Sequence, residues 1–253
     1  MNTAYCTPVN QAPRLPKLYD YVVERALLDM AEQCACGGKG LPLWRQQVQY
    51  AVGHTLNDYY SLTPEVRRQT PIQFLLERRW PPSARCFLSL SHYWEVKDTI
   101  CDELIRMTSG SERDEMPFML YEQWYVPVPE LQMNLSMIFH LVWHARREGS
   151  GLKVQKYMVR RNEEVVSAFL HMTNVFCRKA YGRPPECVEI HFLMDKEMRR
   201  YEGDSLTLEA SLDYLRLLSN LNGELDTLVQ DCKAEEDEGC KSGEDALLKP
   251  LLM

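Results

Sequence analysis

Phe118-Met119-Leu120-Tyr121-Glu122-Gln123-Trp124-Tyr125-Val126-Pro127-Val128 decides the fold class, because it breaks a chain that otherwise reads as helix. Phe118, Leu120, Trp124, Val126 and Val128 alternate with other residues, the period of a strand. Pro127 and Pro129 forbid a continued helix, and they place the end of the strand at a sheet edge. Downstream, Leu131, Leu135, Ile138, Phe139 and Val142 return to helical spacing, so a helix is expected over 130–148, stopped by Gly149-Ser150-Gly151. Lys153 to Arg160 alternates weakly. Asn162 caps an expected helix through Val166, Phe169, Leu170, Thr173 and Phe176, with Gly182 at its end. Pro184-Pro185 then introduces the cleanest strand: Val188, Ile190, Phe192 and Met194 face one way, Glu189 and His191 the other. The leucines at 208, 212, 215, 218, 221, 225 and 228 mark an amphipathic helix over 206–228, weakened by Gly223.

Upstream of the strand the chain reads as helices. Leu18, Val22, Ala26, Leu27 and Met30 form one, and Cys34 to Gly40 ends it in a loop. Trp44, Val48, Ala51, Thr55 and Tyr59 form a second. Thr63-Pro64-Glu65 and Thr70-Pro71 are two closely spaced helix starts, giving two short helices or one kinked one. Cys86-Phe87-Leu88-Ser89-Leu90 fits a short strand, whereas Trp94, Ile100, Leu104 and Ile105 fit a helix. The expected architecture is α+β and predominantly helical, a single domain over 17–230 with a small sheet that includes 118–128 and 187–194. A flexible arm (1–16) precedes it and an acidic, disordered tail (231–253) follows.

Composition narrows the function classes. The first residues lack a signal peptide's basic start and apolar run, and no stretch nears the roughly 20 apolar residues that cross a bilayer. Nine scattered cysteines in 253 residues fit free thiols of a cytoplasmic or nuclear protein better than a disulfide scaffold. Of the net charge of -7, the stretch 231–245 carries -5. Basic residues come in pairs, such as Arg67-Arg68 and Arg199-Arg200, which read as solvated helix ends and not as a nucleic-acid footprint.

Chemistry-bearing motifs are few. His140 and His144, four apart on an expected helix, would face the same way and could start a zinc site, with Cys187 and His191, or His171 and Cys177, completing it if the fold brought them close. An ordinary partly buried face is the competing reading. Cys34-Ala35-Cys36 has the wrong spacing for a metal ribbon or redox loop, and Gly37-Gly38-Lys39-Gly40 lacks the ending of a phosphate loop. No catalytic motif occurs, so the expectation is a non-enzymatic interaction adaptor or assembly subunit with protein partners, neither membrane nor nucleic acid, and no cofactor. The alternative is a zinc-dependent regulator or an enzyme using a Cys/His site. Candidate contacts are Tyr121, Trp124 and Tyr125 on the strand, Leu215, Leu218 and Leu225 on the leucine helix, and Leu247, Leu248, Leu251 and Leu252 beyond the acidic tether.

Two segments resemble a known family. Leu120-Tyr121-Glu122-Gln123-Trp124-Tyr125-Val126 resembles the strand bearing a Glu and a Trp in the HORMA family, adaptor domains of the spindle checkpoint, meiotic axes and autophagy initiation. The helix from Asn162 to Tyr181, Pro184-Pro185 and the strand Cys187 to Met194 are similar to the middle of that domain. The likeness spans residues 118–194, about a third of the chain. It implies a protein-binding adaptor. The expected helix at 130–148, and helix where the family places its peptide-clasping strands after Met194, depart from the pattern and leave peptide clasping in doubt.

Overall fold

The computed structural model describes residues 15–36, 43–109, 115–144 and 151–220, without the side chains of 31–36 and 43. Strand β1 (Lys17–Tyr19) leads into α1 (Asp20–Cys36), followed by α2 (Leu43–Ser61), α3 (Pro64–Gln69), α4 (Ile72–Arg79) and α5 (Leu90–Thr108). Then come β2 (Met119–Val128), β3 (Met133–His144), β4 (Leu152–Met158), α6 (Glu163–Tyr181), β5 (Cys187–Phe192) and β6 (Glu197–Glu202). A last helix, α7, is described over 208–220. The class is α+β, but the sheet is larger than expected. Its six strands are mixed, with β2 outermost against β3, then β4, β5 and β6, and β1 beside the start of β3.

Three expectations are corrected. Residues 133–144 are strand, not helix, and every one except His144 is at least partly buried. Helices cover both faces, so the strand is apolar on both sides and its period of two disappears from the sequence. The stretch after Met194 opens with β6, whose alternating exposure reflects a half-covered edge, before helix begins at 208. Cys86 to Leu90 is not a strand: a short 3-10 turn (Ala84–Cys86) precedes Ser89, whose side chain accepts the His92 N–H at 3.0 Å and so starts α5. The Asn162 cap is present, accepting the Val165 N–H at 2.9 Å, and Gly182 closes α6 with φ 74°.

The sheet separates two cores. Val165, Phe169, Met172 and Phe176 of α6, Leu18 and Val23 at the chain start, and Leu212, Leu215 and Leu218 of α7 pack on one face with Leu135, Phe139, Val188 and Ile190. Trp44, Val48, Val52 and Leu56 of α2, with Leu76, Val96, Ile100 and Leu104, pack on the other with Leu141, Trp143, Tyr157 and Leu193. Arg67 ties the second layer to β2. It is not a solvated helix end but fully buried, and it donates to the carbonyls of Tyr59, Tyr60 and Leu62 at the end of α2. The same guanidinium reaches the Glu115 carbonyl at 2.7 Å, so orphan helix-end acceptors and the lead-in to β2 share one donor group.

Candidate interaction edge and the polar seam behind it

β2 pairs with β3 along one side, and among the described residues no strand pairs with its other side. It is ten residues long, and Glu122, Gln123, Trp124 and Tyr125 form an exposed run at its middle. Trp124 is 43% and Tyr125 49% exposed. Their side chains leave opposite faces because strand side chains alternate. On the first face, the Trp124 Nε1–H donates to Glu122 Oε2 at 3.0 Å, and half-exposed Tyr181 at the end of α6 lies near Glu122. On the second face, Tyr125 and Tyr19 both sit opposite Ser136 of β3, making a row across β2, β3 and β1. Lys17 Nζ lies 4.9 Å from the Tyr125 ring centroid, and the Tyr19 and Tyr21 rings are 5.4 Å apart. An unpaired backbone edge is thus bordered by aromatics on both faces.

Tyr121 belongs to the interior, which corrects its assignment as a contact. Its φ of 48° is costly for a non-glycine residue, and the ring lies over Gly53 of α2, where a Cβ would come within 3.1 Å of it. There it begins a ladder of four near-parallel rings on four adjacent strands. Tyr121 stacks on His140 at 4.9 Å, His140 faces Tyr157 at 6.2 Å, and Tyr157 stacks on His191 at 5.0 Å. Burial pushes the Tyr121 and Tyr157 hydroxyls well above the ordinary tyrosine range. It holds His140 well below the usual imidazole range and lowers His191 to about 4, so both are neutral at pH 7. The Tyr121 hydroxyl and both His191 nitrogens have no hydrogen-bond partner among the described residues.

The ladder crosses a fork in the sheet. β3 pairs with β1 over Asn134–Ser136 and with β4 over Leu141–His144. Between these stretches side chains replace the missing strand. The Ile138 N–H donates to Asp20 Oδ2 (3.0 Å) and the Tyr157 N–H to His140 Nδ1 (3.1 Å). Gln49 of α2 donates to the Tyr157 carbonyl and accepts the Val159 N–H, copying a strand's pair of bonds. On the first face Lys156 is buried and donates to Glu24 at 2.7 Å, next to Asp20, whose carboxyl burial raises to about 6. These groups satisfy backbone atoms that the fork would otherwise orphan.

The metal-ligand candidates do not assemble. On a strand, residues four apart are separated by about 13 Å, not by one helical turn. That applies to His140 and His144 on β3 and to Cys187 and His191 on β5. His140 Nδ1 already accepts a backbone N–H, and His144 is exposed against Phe118. Among the described residues no group of three His, Cys, Asp or Glu side chains is placed to hold a metal ion. Burial raises the thiols of Cys86 and Cys101, and pushes Cys187 to about 11 and Cys177 to about 12. None of these four is held as a thiolate nucleophile.

No family model and no curated protein matches the chain.

Of the other expected contacts, Leu215 and Leu218 are buried in their own domain and are withdrawn as partner residues. Leu225, Leu247, Leu248, Leu251 and Leu252, with the rest of the expected tail, lie outside the described residues, as do Gly37 to Gly40 and the N-terminal arm through residue 14. Among the described residues no helix is long and apolar enough to cross a membrane. Tyr19, Tyr21 and Tyr181, which flank the edge, had no periodic signal of their own. The density of aromatics around 118–125 was the available clue.

Proposed function

We propose that this chain is a non-enzymatic protein–protein interaction adaptor or assembly subunit, acting in the cytoplasm or nucleus, and that the open side of β2 is its contact. The carrying observation is a ten-residue strand whose side away from β3 has no partner strand among the described residues, with Trp124 and Tyr125 exposed on its opposite faces. A partner segment in extended conformation would satisfy the free backbone groups of β2, and its alternating side chains would meet Trp124 and Tyr181 on one face and Tyr125 and Tyr21 on the other. Trp and Tyr supply large contact area with little rotamer entropy to lose, which suits them as anchors.

The resemblance to the HORMA family belongs to the same reading. Of the two features that set the chain apart from that pattern, the helix over 130–148 is replaced by β3, while after Met194 strand β6 comes first and helix α7 follows over 208–220. This supports an adaptor of that type.

The test is co-purification from cell extract with the full chain and with a Trp124→Lys/Tyr125→Lys variant. A stoichiometric partner captured by the first is expected to be lost from the second, by on the order of a hundredfold in affinity for two central anchors. A partner held equally by both, or no partner with either, overturns the reading.

A further inference from the structure

The link between α4 and α5 holds apolar side chains outside both cores. Leu88 is 80% and Leu90 65% exposed, and they stand in a run of four exposed residues, Leu88-Ser89-Leu90-Ser91. The base under this tip is built of packed rings. Phe87 is buried against Trp44 (5.9 Å), Trp80 (6.4 Å) and Tyr93 (4.9 Å), and the Tyr93 hydroxyl donates to the Pro81 carbonyl at 2.9 Å. Trp94, 49% exposed, follows Leu90 by four residues and so shares its face of α5, with Lys97 Nζ 5.1 Å from its ring centroid.

Charge is arranged around the same tip. From Arg78 to Trp94 the chain carries three arginines and no carboxylate, in a protein whose net charge is -7. Arg79 is paired with Asp58 at 2.8 Å, while the exposed Arg78 and Arg85 have no carboxylate partner among the described residues. The next carboxylates along α5, Glu95 and Asp98, stand about 7.5 and 12 Å behind Leu90 at the helical rise per residue. Glu77 closes on Lys97 at 2.6 Å.

We propose that the tip 82–91 docks on an anionic phospholipid surface, with Leu88 and Leu90 below the headgroups, Trp94 at their level, and Arg78 and Arg85 against their phosphates. This goes beyond the adaptor reading and does not depend on β2. A projecting pair of leucines needs only a fluid apolar layer, whereas a protein partner would need a recess shaped to receive it. Interfacial segments bury their apolar side chains about 5–10 Å deep. Trp94 stands roughly 6 Å behind Leu90 along α5, the depth of the interfacial aromatic belt. The packed base presents both leucines without a loop to order. Among the described residues no helix is long and apolar enough to cross a membrane, and a tip that dips into the headgroups has no such length to meet. The expectation of no membrane contact rested on crossing alone.

Sedimentation of the full chain with vesicles tests this, using pure phosphatidylcholine and two parts phosphatidylcholine to one of phosphatidylserine. The chain is expected to pellet with the mixed vesicles, to bind the pure ones about tenfold or more weakly, and to be released by salt. Leu88→Asp/Leu90→Asp is expected to weaken binding to the mixed vesicles about tenfold or more, through lost apolar burial. Arg78→Glu/Arg85→Glu is expected to do the same through charge, also by about tenfold or more. All four side chains are exposed, so an unchanged melting temperature separates lost binding from lost fold. A parent chain that stays in the supernatant with the mixed vesicles overturns the proposal, and so does a leucine variant that pellets as the parent does. A protein captured from extract by the parent and lost with Leu88→Asp/Leu90→Asp, while vesicles capture neither, assigns the tip to a protein partner and overturns the lipid. Trp124→Lys/Tyr125→Lys is expected to pellet with the mixed vesicles like the parent, which keeps this test apart from that of β2.

Discussion

Along β6, Glu197, Arg199, Arg200 and Glu202 all stand in ion pairs, whereas β2, at the opposite side of the sheet, carries one charge in ten residues. Arg199 reaches Glu197 at 2.6 Å and Glu163 at 3.2 Å, and Arg200 reaches Glu202 at 3.0 Å. Any strand approaching β6 would have to strip water from this network, with Met198 the one large exposed apolar side chain of the strand to cover. β6 is also only six residues long. At β2 the approach meets Trp124 and Tyr125 and a backbone side that no strand pairs among the described residues. One sheet thus has a border guarded by charge and one bordered by aromatics, and the proposed contact rests on that contrast.

Removing what holds β2 in place has the largest expected effect. Tyr121→Ala takes the first ring out of the ladder, and is expected to cost about 3 kcal/mol or more in urea unfolding and to loosen exchange along β2 before β6. Tyr121→Phe deletes only the orphan hydroxyl, so it is expected to be neutral or stabilising, by up to about 1 kcal/mol. The pair separates the ring from its oxygen.

Acid probes the guarded side. His191, one strand in from β6, has its folded pKa lowered to about 4 by burial, with Glu189 and Glu103 pulling it up and Arg106 and Lys153 pulling it down. Between about 4 and the ordinary imidazole value near 6.5, the unfolded chain binds the proton more readily. Stability is therefore lost as pH falls through that window, on the order of 3 kcal/mol at full effect. Asp20, raised to about 6, works the other way and gains a proton in the folded state over the same range. His191→Phe is expected to flatten the acid limb of a stability–pH profile, and Asp20→Asn to steepen it. An unchanged limb in His191→Phe would remove this imidazole as the acid-sensitive group.

The smallest effect converts the guarded border into an open one. Arg199→Thr/Arg200→Tyr deletes exposed pairs that solvent screens, so stability should hardly move. Light scattering should instead show self-association rising with concentration, and a variant that stays monomeric would mean that the charges are not what protects β6.

How much of this could be read from the chain depended on how each element is covered. β2 and β5 were legible, the first from prolines and alternation, the second because Glu189 and His191 alternate with its apolar residues after Pro184-Pro185. α6 was legible through Asn162 and Gly182. β3 was not, since Leu135, Phe139 and Val142 satisfy a helical period by coincidence on a strand buried from both sides. Trp124 and Tyr125 are exposed where a sequence reading expected contacts, but Tyr121 in the same cluster turns inward through one backbone angle that no composition rule foretells. The ring ladder draws on β2, β3, β4 and β5, and nothing in any one segment announces the other three.

The fork in β3 has a consequence for how the molecule is made. β1 pairs Lys17 with Asn134, so the first described strand has its partner on β3 only once 117 further residues exist. At about 5–20 residues per second that is a wait of roughly 6–23 s, during which α2 to α5 are already synthesised. Asp20, which bonds the Ile138 N–H across the fork, is bound by the same delay. The start of the chain must therefore remain available, on the ribosome, to be captured by a strand born late.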